Sequence, residues 1–243
     1  AVRAGARVSL DVMYGLPGQS WAAIRRTLDR AIALGTEHIS AYALTVEPDT
    51  LLERRASLKL FRPVDDDRMA ELYERVTDHL GAHGFERYEV SNYARPGAEC
   101  RHNVLYWQGG AYLGLGAGAH GYRPGRGAET SERRENVKAP RSYLEAVERG
   151  DFSPRFSETL DELQRVRDRF LVGFRTRWGI ELEELDASPA LEQSVFPRLE
   201  LTCEWLEARG LLRRAMPRWA PTARGFRFSD TLARECLRVL DDR

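Results

Sequence analysis

Three features of the sequence predict an α/β fold, with a parallel sheet whose remainder is expected upstream of Ala1 and a mostly helical C-terminal unit after it. A strand, a helix and a second strand follow one another within the first 46 residues. A helix, a two-stranded ribbon and another helix close the chain, in the outline of a winged helix. The composition, 42% hydrophobic and 30% charged over 243 residues, is apolar enough for one large or two smaller packed domains.

The first strand is RVSLDVMY (residues 7–14), and it runs into the turn GLPGQ. Trp21, Ile24, Leu28, Ala31 and Ile32 then recur at helical spacing, with Ser20 as N-cap and Gly35 as the stop. HISAYALTV (38–46) is the second strand, closed by Glu47 and Pro48. Strand, helix and strand at this spacing make a βαβ unit with a right-handed crossover. One such unit cannot close a sheet, so the rest is expected before Ala1. A further helix is expected from Pro63 through Met69, Leu72, Tyr73, Val76 and Leu80, with Asp65 to Asp67 at its positive N-terminus and Gly84 after it. RYEVS (87–91) reads as a short strand. Residues 92–125 have no helical or strand period but are too apolar for a solvated linker, and residues 126–139 read as a polar exposed loop. Leu160, Leu163, Val166, Phe170 and Leu171 then mark a helix. A turn at Gly179 and a short helix follow, and Leu199, Cys203 and Leu206 mark a third helix that stops at Gly210.

The 37 basic and 37 acidic residues cancel, which removes a whole-chain electrostatic case for a polyanionic partner. Residues 157–243 hold 15 arginines, no lysine and 16 acidic residues, so a DNA-reading use of the winged-helix outline lacks its basic surplus. No stretch reaches the ~20 apolar residues of a membrane helix, and the N-terminus has no secretory signal pattern. Cys100, Cys203 and Cys236 are odd in number and far apart, so neither a disulfide framework nor a CxxC knuckle is expected. These readings point to a reducing cytoplasm.

Asp11 falls inside an apolar run, where an ionised carboxylate is costly unless paired. It reads either as a cap on a nearby loop or as a ligand group near the C-terminal end of a parallel strand, where such sheets bind ligands. Thr45 sits near the corresponding end of the next strand, and a carboxylate with a hydroxyl suits a ribose or an amino-acid moiety. Gly114, Gly116 and Gly118 have GxGxG rather than GxGxxG spacing. They predict close backbone approach to a bulky ligand or a neighbouring strand, not pyrophosphate binding. The densest constellation is Cys100, His102, Asn103, Tyr106 and Trp107, with His120 beyond. One reading is a plain surface histidine. The other is an axial ligand to haem iron between flat apolar walls, with cations for the propionates. Zinc is the rival metal, but Cys100 and His102 supply two of the three or four ligands it needs. Cys100 is a candidate second axial ligand or a surface thiol.

SLDVMYGLPGQS (9–20), HISAYALTVEP (38–48), RYEVSNYARPGAECRHNVLYW (87–107) and YLGLGAGAH (112–120) resemble, in this order, the radical SAM proteins of the oxygen-independent coproporphyrinogen III oxidase-like family. The match is closest to its haem-chaperone (HemW-type) branch, and 160–180 and 206–214 resemble the family's C-terminal domain. The resemblance implies the last βα units of a radical SAM barrel over 1–60 and a barrel extension with the HNxxYW and glycine-rich segments over 61–150. It also implies the family's C-terminal domain over 157–243. It assigns S-adenosylmethionine to Asp11 and Thr45. It makes His102 the haem-iron ligand, with Tyr106 and Trp107 as packing walls. It implies haem delivery to acceptor proteins and assigns no catalytic residue to this chain. The alternative is the oxidase itself, which decarboxylates coproporphyrinogen III in porphyrin biosynthesis. The family's CxxxCxxC loop for a [4Fe–4S] cluster does not occur in this sequence. In the family it lies on the first barrel strand, so about four βα units of ~30 residues each, and with them the cluster, are expected upstream in a full-length parent.

Overall fold

Alternation along the first strand, β1 (Ser9–Tyr14), buries Val12 and Tyr14 on one face and leaves Ser9, Asp11 and Met13 exposed on the other. The computed structural model describes residues 5–125, 130–186, 188 and 191–241. They fall into two units that divide between Cys100 and Arg101.

In the first unit the chain leaves β1 through Gly15 and Gly18, at φ +77° and +72°, conformations that a Cβ disfavours. Helix α1 (Trp21–Ala33) begins at Ser20, whose Oγ accepts from the Ala23 amide at 3.3 Å. Strand β2 (His38–Ala43) then pairs in parallel with β1, from Ser9 opposite His38 to Tyr14 opposite Ala43. This is the expected βαβ unit. The ladder is shorter than the apolar run: the Leu44 amide still donates to the Tyr14 carbonyl at 2.9 Å, and Thr45 lies beyond the strand. After α2 (Leu51–Ser57) comes α3 (Asp66–Ala82), capped by Asp65, whose Oδ1 accepts from the Arg68 amide at 2.8 Å. Ile24 and Leu28 of α1 and Leu72, Val76 and Leu80 of α3 close the core against Val12, Tyr14 and Ile39.

The sheet departs from an all-parallel expectation at its next strand. β3 (Glu86–Arg87) and β4 (Asn92–Ala94) form a hairpin, and β4 inserts antiparallel beside β2 to give the order β1-β2-β4-β3. RYEVS is therefore mostly the hairpin connection. The reason is local, since the Tyr88 amide donates to the Asn92 carbonyl at 3.1 Å and turns the chain back after two strand residues.

The second unit begins with α4 (Arg101–Trp107), inside the segment expected to lack regular structure. A three-stranded antiparallel sheet follows from β5 (His120–Arg123), β6 (Ser131–Glu135) and β7 (Phe156–Leu160), with α5 (Pro140–Glu148) between the last two. Strand β6 overturns the exposed-loop expectation for 126–139, of which 126–129 lie outside the described residues. Its charges find cross-strand partners: Arg133 meets Glu158 at 3.1 Å, and Glu132 meets Arg123 at 3.5 Å. Ser131 is fully buried, and its Oγ accepts from the Gly125 amide at 2.9 Å.

Helix α6 (Glu162–Gly173) opens with a reciprocal cap between Asp161 and Gln164. It is followed by β8 (Ile180–Glu181), α7 (Glu183–Asp186), α8 (Val195–Ala208), β9 (Leu212–Ala215), β10 (Arg218–Pro221) and α9 (Ser229–Asp241). The strands make a second antiparallel sheet, β8-β10-β9. Phe170, Phe174, Leu199, Leu206 and Leu232 are completely buried among these helices, each worth about 1.5–3 kcal/mol of transfer free energy. Cys203 and Cys236 are buried free thiols in the same core, and contact with Cys203 together with burial pushes the Cys236 thiol up. Among the described residues no helix is long and apolar enough to cross a membrane.

Candidate functional site

Helix α4 carries the RHNVLYW string and presents His102 and Tyr106, four residues apart, on one side. It ends because Gly109 takes φ +69° while the Gly110 amide returns to the Leu105 carbonyl at 2.8 Å. The chain then runs extended. Tyr112 and Tyr122 exchange both backbone hydrogen bonds at 2.9 Å, which lays the glycine-rich segment along β5. A Cβ on Gly114 would stand 2.4 Å from the His120 carbonyl oxygen, so this approach requires glycine. Asn136 Nδ2 donates to the carbonyls of Gly114 and Gly116 at 3.0 Å each and holds the loop down. Of Gly114, Gly116 and Gly118, only Gly114 makes such a backbone approach, and it is to the chain itself; Gly116 faces open space and Gly118 makes ordinary contact with Lys138.

Between this segment and α6 lies a cavity of about 1240 Å³, at or above the upper end of the ~300–1,000 Å³ usual for small-molecule sites. His102, Tyr106, Tyr112 and His120 form one wall, and Arg165, Asp168, Arg169, Val172 and Arg175 of α6 and its end form the other. The aromatic side is continuous. His102 stands edge-on to Tyr112 at 6.3 Å, Tyr106 is 5.5 Å from Tyr112, and Tyr112 is 6.2 Å from Tyr122. Burial, then the neighbouring Tyr106, raises the Tyr112 hydroxyl above its ordinary range, so it stays protonated as a donor. On the opposite side Arg133 pairs with Glu158 and with Asp168. Burial raises the Asp168 carboxyl although Arg133 opposes the shift. Arg169 pairs with Glu184, and Arg175 reaches Asp230 at 2.5 Å. The cavity thus joins an aromatic wall to a mixed charged one, in which Arg133, Arg165, Arg169 and Arg175 stand with Glu162, Asp168 and Glu184, a setting for a large flat ligand whose acidic groups can take over guanidinium partners.

Of the candidate site residues singled out from the sequence, His102, Tyr106, Gly114 and His120 line this cavity. Trp107 is not among the lining residues. It packs edge-on against Tyr106 at 5.3 Å and fixes that ring from behind. Cys100 belongs to the first unit and is partly exposed. The sequence reading missed Tyr112, Tyr122 and the α6 residues. The latter did leave a signal, since Arg165, Asp168, Arg169 and Val172 repeat at i, i+3, i+4 and i+7, the stripe beside the apolar face that identified the helix.

Asp11 lies in the first unit. It is exposed on the sheet face opposite the core, so it does not carry the burial penalty expected of a carboxylate in an apolar strand. The ladder aligns it with Ser40 of β2 and, beyond that, Asn92 of β4, a row of three polar side chains on one face. Asn92 Oδ1 is buried and has no hydrogen-bond partner among the described residues. Below this row His38 bridges Ser9 Oγ at 2.7 Å and the Tyr88 hydroxyl at 2.8 Å. Thr45 is exposed beyond the end of β2.

Comparison with known proteins adds three findings. Residues 160–228 match the HemN C-terminal domain family. The chain is 38% identical over 230 residues to the heme chaperone HemW of Mycobacterium tuberculosis (strain CDC 1551 / Oshkosh), which covers 95% of this chain and 55% of that protein. The Escherichia coli (strain K12) protein of that name is 32% identical over 234 residues, 92% of this chain and 56% of the relative, and that of Bacillus subtilis (strain 168) is 34% identical over 173 residues, 71% and 44%. The chain therefore spans about half the length of the curated relatives it matches. Among solved structures, coproporphyrinogen III oxidase (HemN) from Escherichia coli, a radical SAM enzyme, superposes with a TM-score of 0.67 at 16% identity, over 94% of this chain and 54% of that one. At that identity the likeness is one of α/β fold.

Proposed function

The chain belongs to the HemW-type branch of the radical SAM proteins, and from that premise we propose that the protein is a haem chaperone that binds haem in the cavity of the second unit and delivers it to acceptor proteins. The observation that carries the reading is the pairing of a cavity of about 1240 Å³ with His102 and Tyr106 of the HNxxYW string in its wall. In it, His102 supplies the axial nitrogen to haem iron. Tyr106 and Tyr112 pack against the macrocycle, with Trp107 supporting Tyr106. Arg165, Arg169 and Arg175 meet the propionates, each guanidinium exchanging its present partner for a carboxylate of the ligand. A chaperone must also release its cargo, and a cavity open to solvent suits transfer better than a closed one. We place this activity in the cytoplasm.

For the barrel, the reading is that residues 1–60 are its last βα units, 61–150 its extension and 157–243 a C-terminal domain of winged-helix outline. Asp11, with Ser40 and Asn92 in register beside it, would hold the polar end of S-adenosylmethionine, with Thr45 at the strand end. S-adenosylmethionine supplies a radical when it is cleaved on a reduced [4Fe–4S] cluster. Cys203 and Cys236 are core residues and Cys100 stands alone in the other unit, so the cysteines of this chain do not make up a cluster site.

The test is haem titration of the protein and of His102→Ala. The chaperone reading expects a Soret band whose position shifts in the variant and an affinity at least tenfold weaker. An unchanged spectrum and affinity would remove His102 as the ligand. Anaerobic turnover of coproporphyrinogen III by a full-length parent that carries the cluster would instead favour the oxidase reading.

A further inference from the structure

Away from the cavity and from the Asp11 face, three metal-ligating side chains converge where α1 packs on α3. His79 and His83 are four residues apart at the C-terminal end of α3, so both imidazoles leave the same side of the helix. Asp29 approaches them from α1. One donor atom from each of the three lies within 4.8 Å of the others. His79 Nε2 is 2.7 Å from Asp29 Oδ1, and the two imidazole centroids are 4.5 Å apart. His83 Nδ1 sits 2.7 Å from the His79 carbonyl oxygen. A carbonyl only accepts, so Nδ1 carries the proton and Nε2 keeps its lone pair. A backbone contact on the far nitrogen is how proteins commonly orient a metal-binding histidine. Trp21 stands edge-on to His79 at 6.1 Å, and the Arg75 guanidinium lies 5.7 Å over the Trp21 ring, so the inner side of the cluster is walled. Asp29 and His83 are exposed on the outer side.

We propose that Asp29, His79 and His83 form a binding site for a divalent transition-metal ion of the zinc, cobalt and nickel class, with water completing its coordination. Two imidazoles and a carboxylate suit these ions, whereas calcium and magnesium take all-oxygen sets. Tetrahedral coordination with ligands at about 2.0–2.1 Å needs donors about 3.3 Å apart. The cluster therefore has to contract by no more than about 1.5 Å at its widest. His83 supplies that movement, because it is the C-cap of α3 and its side chain is exposed. The ion would take the place of the hydrogen between His79 Nε2 and Asp29 Oδ1, so its binding releases a proton if that bridge is occupied. The site would staple α1 to α3 and keep a coordination position open to exchange.

Cobalt(II) titration of the chain, read by visible absorption, tests this. The expected result is a set of d–d bands without thiolate-to-cobalt charge transfer, saturating at one equivalent and removed by zinc. His83→Ala and Asp29→Asn change exposed side chains and should each weaken binding at least tenfold while leaving the circular dichroism spectrum unchanged. Absence of the bands at millimolar cobalt would overturn the proposal. So would a thiolate charge-transfer band, or one affinity shared by wild type and both variants.

Discussion

Substituting Gly114 by alanine probes the contact that shapes the cavity wall. The added methyl would stand 2.4 Å from the His120 carbonyl oxygen, 2.6 Å from its carbon and 2.9 Å from the Ala119 carbonyl carbon, where ordinary contact begins near 3.4 Å. All three are backbone atoms, so no side chain can swing aside, and the segment has to move off β5 by about 1 Å. That displacement strains the Tyr112–Tyr122 bridge, whose two hydrogen bonds are 2.9 Å long, each worth about 0.5–1.5 kcal/mol. The loss of about 1–3 kcal/mol agrees with the usual penalty for overpacking, and for a chain of this size it lowers Tm by roughly 2–4 °C per kcal/mol. Because Tyr112 is part of the aromatic wall, haem affinity should fall about tenfold, or about 1.4 kcal/mol, with the axial ligand unchanged. Scanning calorimetry and a Soret titration measure the two effects. A variant as stable as wild type to within about 0.5 kcal/mol, with the same haem affinity, would refute the idea that bare backbone contact builds this wall.

Two further outcomes follow from the same reasoning. Gly179 and Gly210 both have positive φ, at +66° and +69°, but a Cβ at Gly179 would lie 1.9 Å from the Trp219 carbonyl oxygen while Gly210 faces open space. Gly210→Ala should then lose about 1–2 kcal/mol from the left-handed backbone alone, and Gly179→Ala at least ~2 kcal/mol more; equal losses in urea unfolding would contradict the packing of β10 against that turn. Burial holds the His38 imidazole below the usual histidine range, partly offset by the Asp11 carboxylate. The unfolded chain takes up a proton there near pH 6.5 while the folded chain resists it, so this part of the stability is complete above about pH 6.5 and is lost as the pH falls; His38→Gln should flatten that slope, and an unaltered slope would exclude His38 as its source.

Local chemistry was enough to identify what is local. Ser20 is expected as an N-cap because a short polar side chain next to an apolar period has one good use, and it caps its helix here; Asp65, expected only to favour the positive helix end, also caps, and so does Asp161, which the sequence reading did not single out. The βαβ start was legible for the same reason, since strand and helix periods of an amphipathic chain are unmistakable over six to thirteen residues. His102 and Tyr106 stood out because they lie four apart beside aromatic and glycine-rich sequence. What pairs with what was not legible. Nothing in Asn92–Ala94 says that it inserts beside β2, and nothing in the charged string around Arg133 says strand, because its charges are satisfied by Glu158 and Asp168, 25 and 35 residues away. Asp11 has apolar neighbours along the chain, yet a strand's two faces meet different surroundings, and only the packed sheet decides which is the core. The cavity is the clearest case: its histidine and tyrosines are near neighbours in sequence, but its arginines come from a helix some 60 residues on, brought opposite them by the pairing of β5, β6 and β7. Composition and period fix elements, because those depend on neighbours along the chain. Long-range packing chooses the partners, and the site exists only once they are chosen.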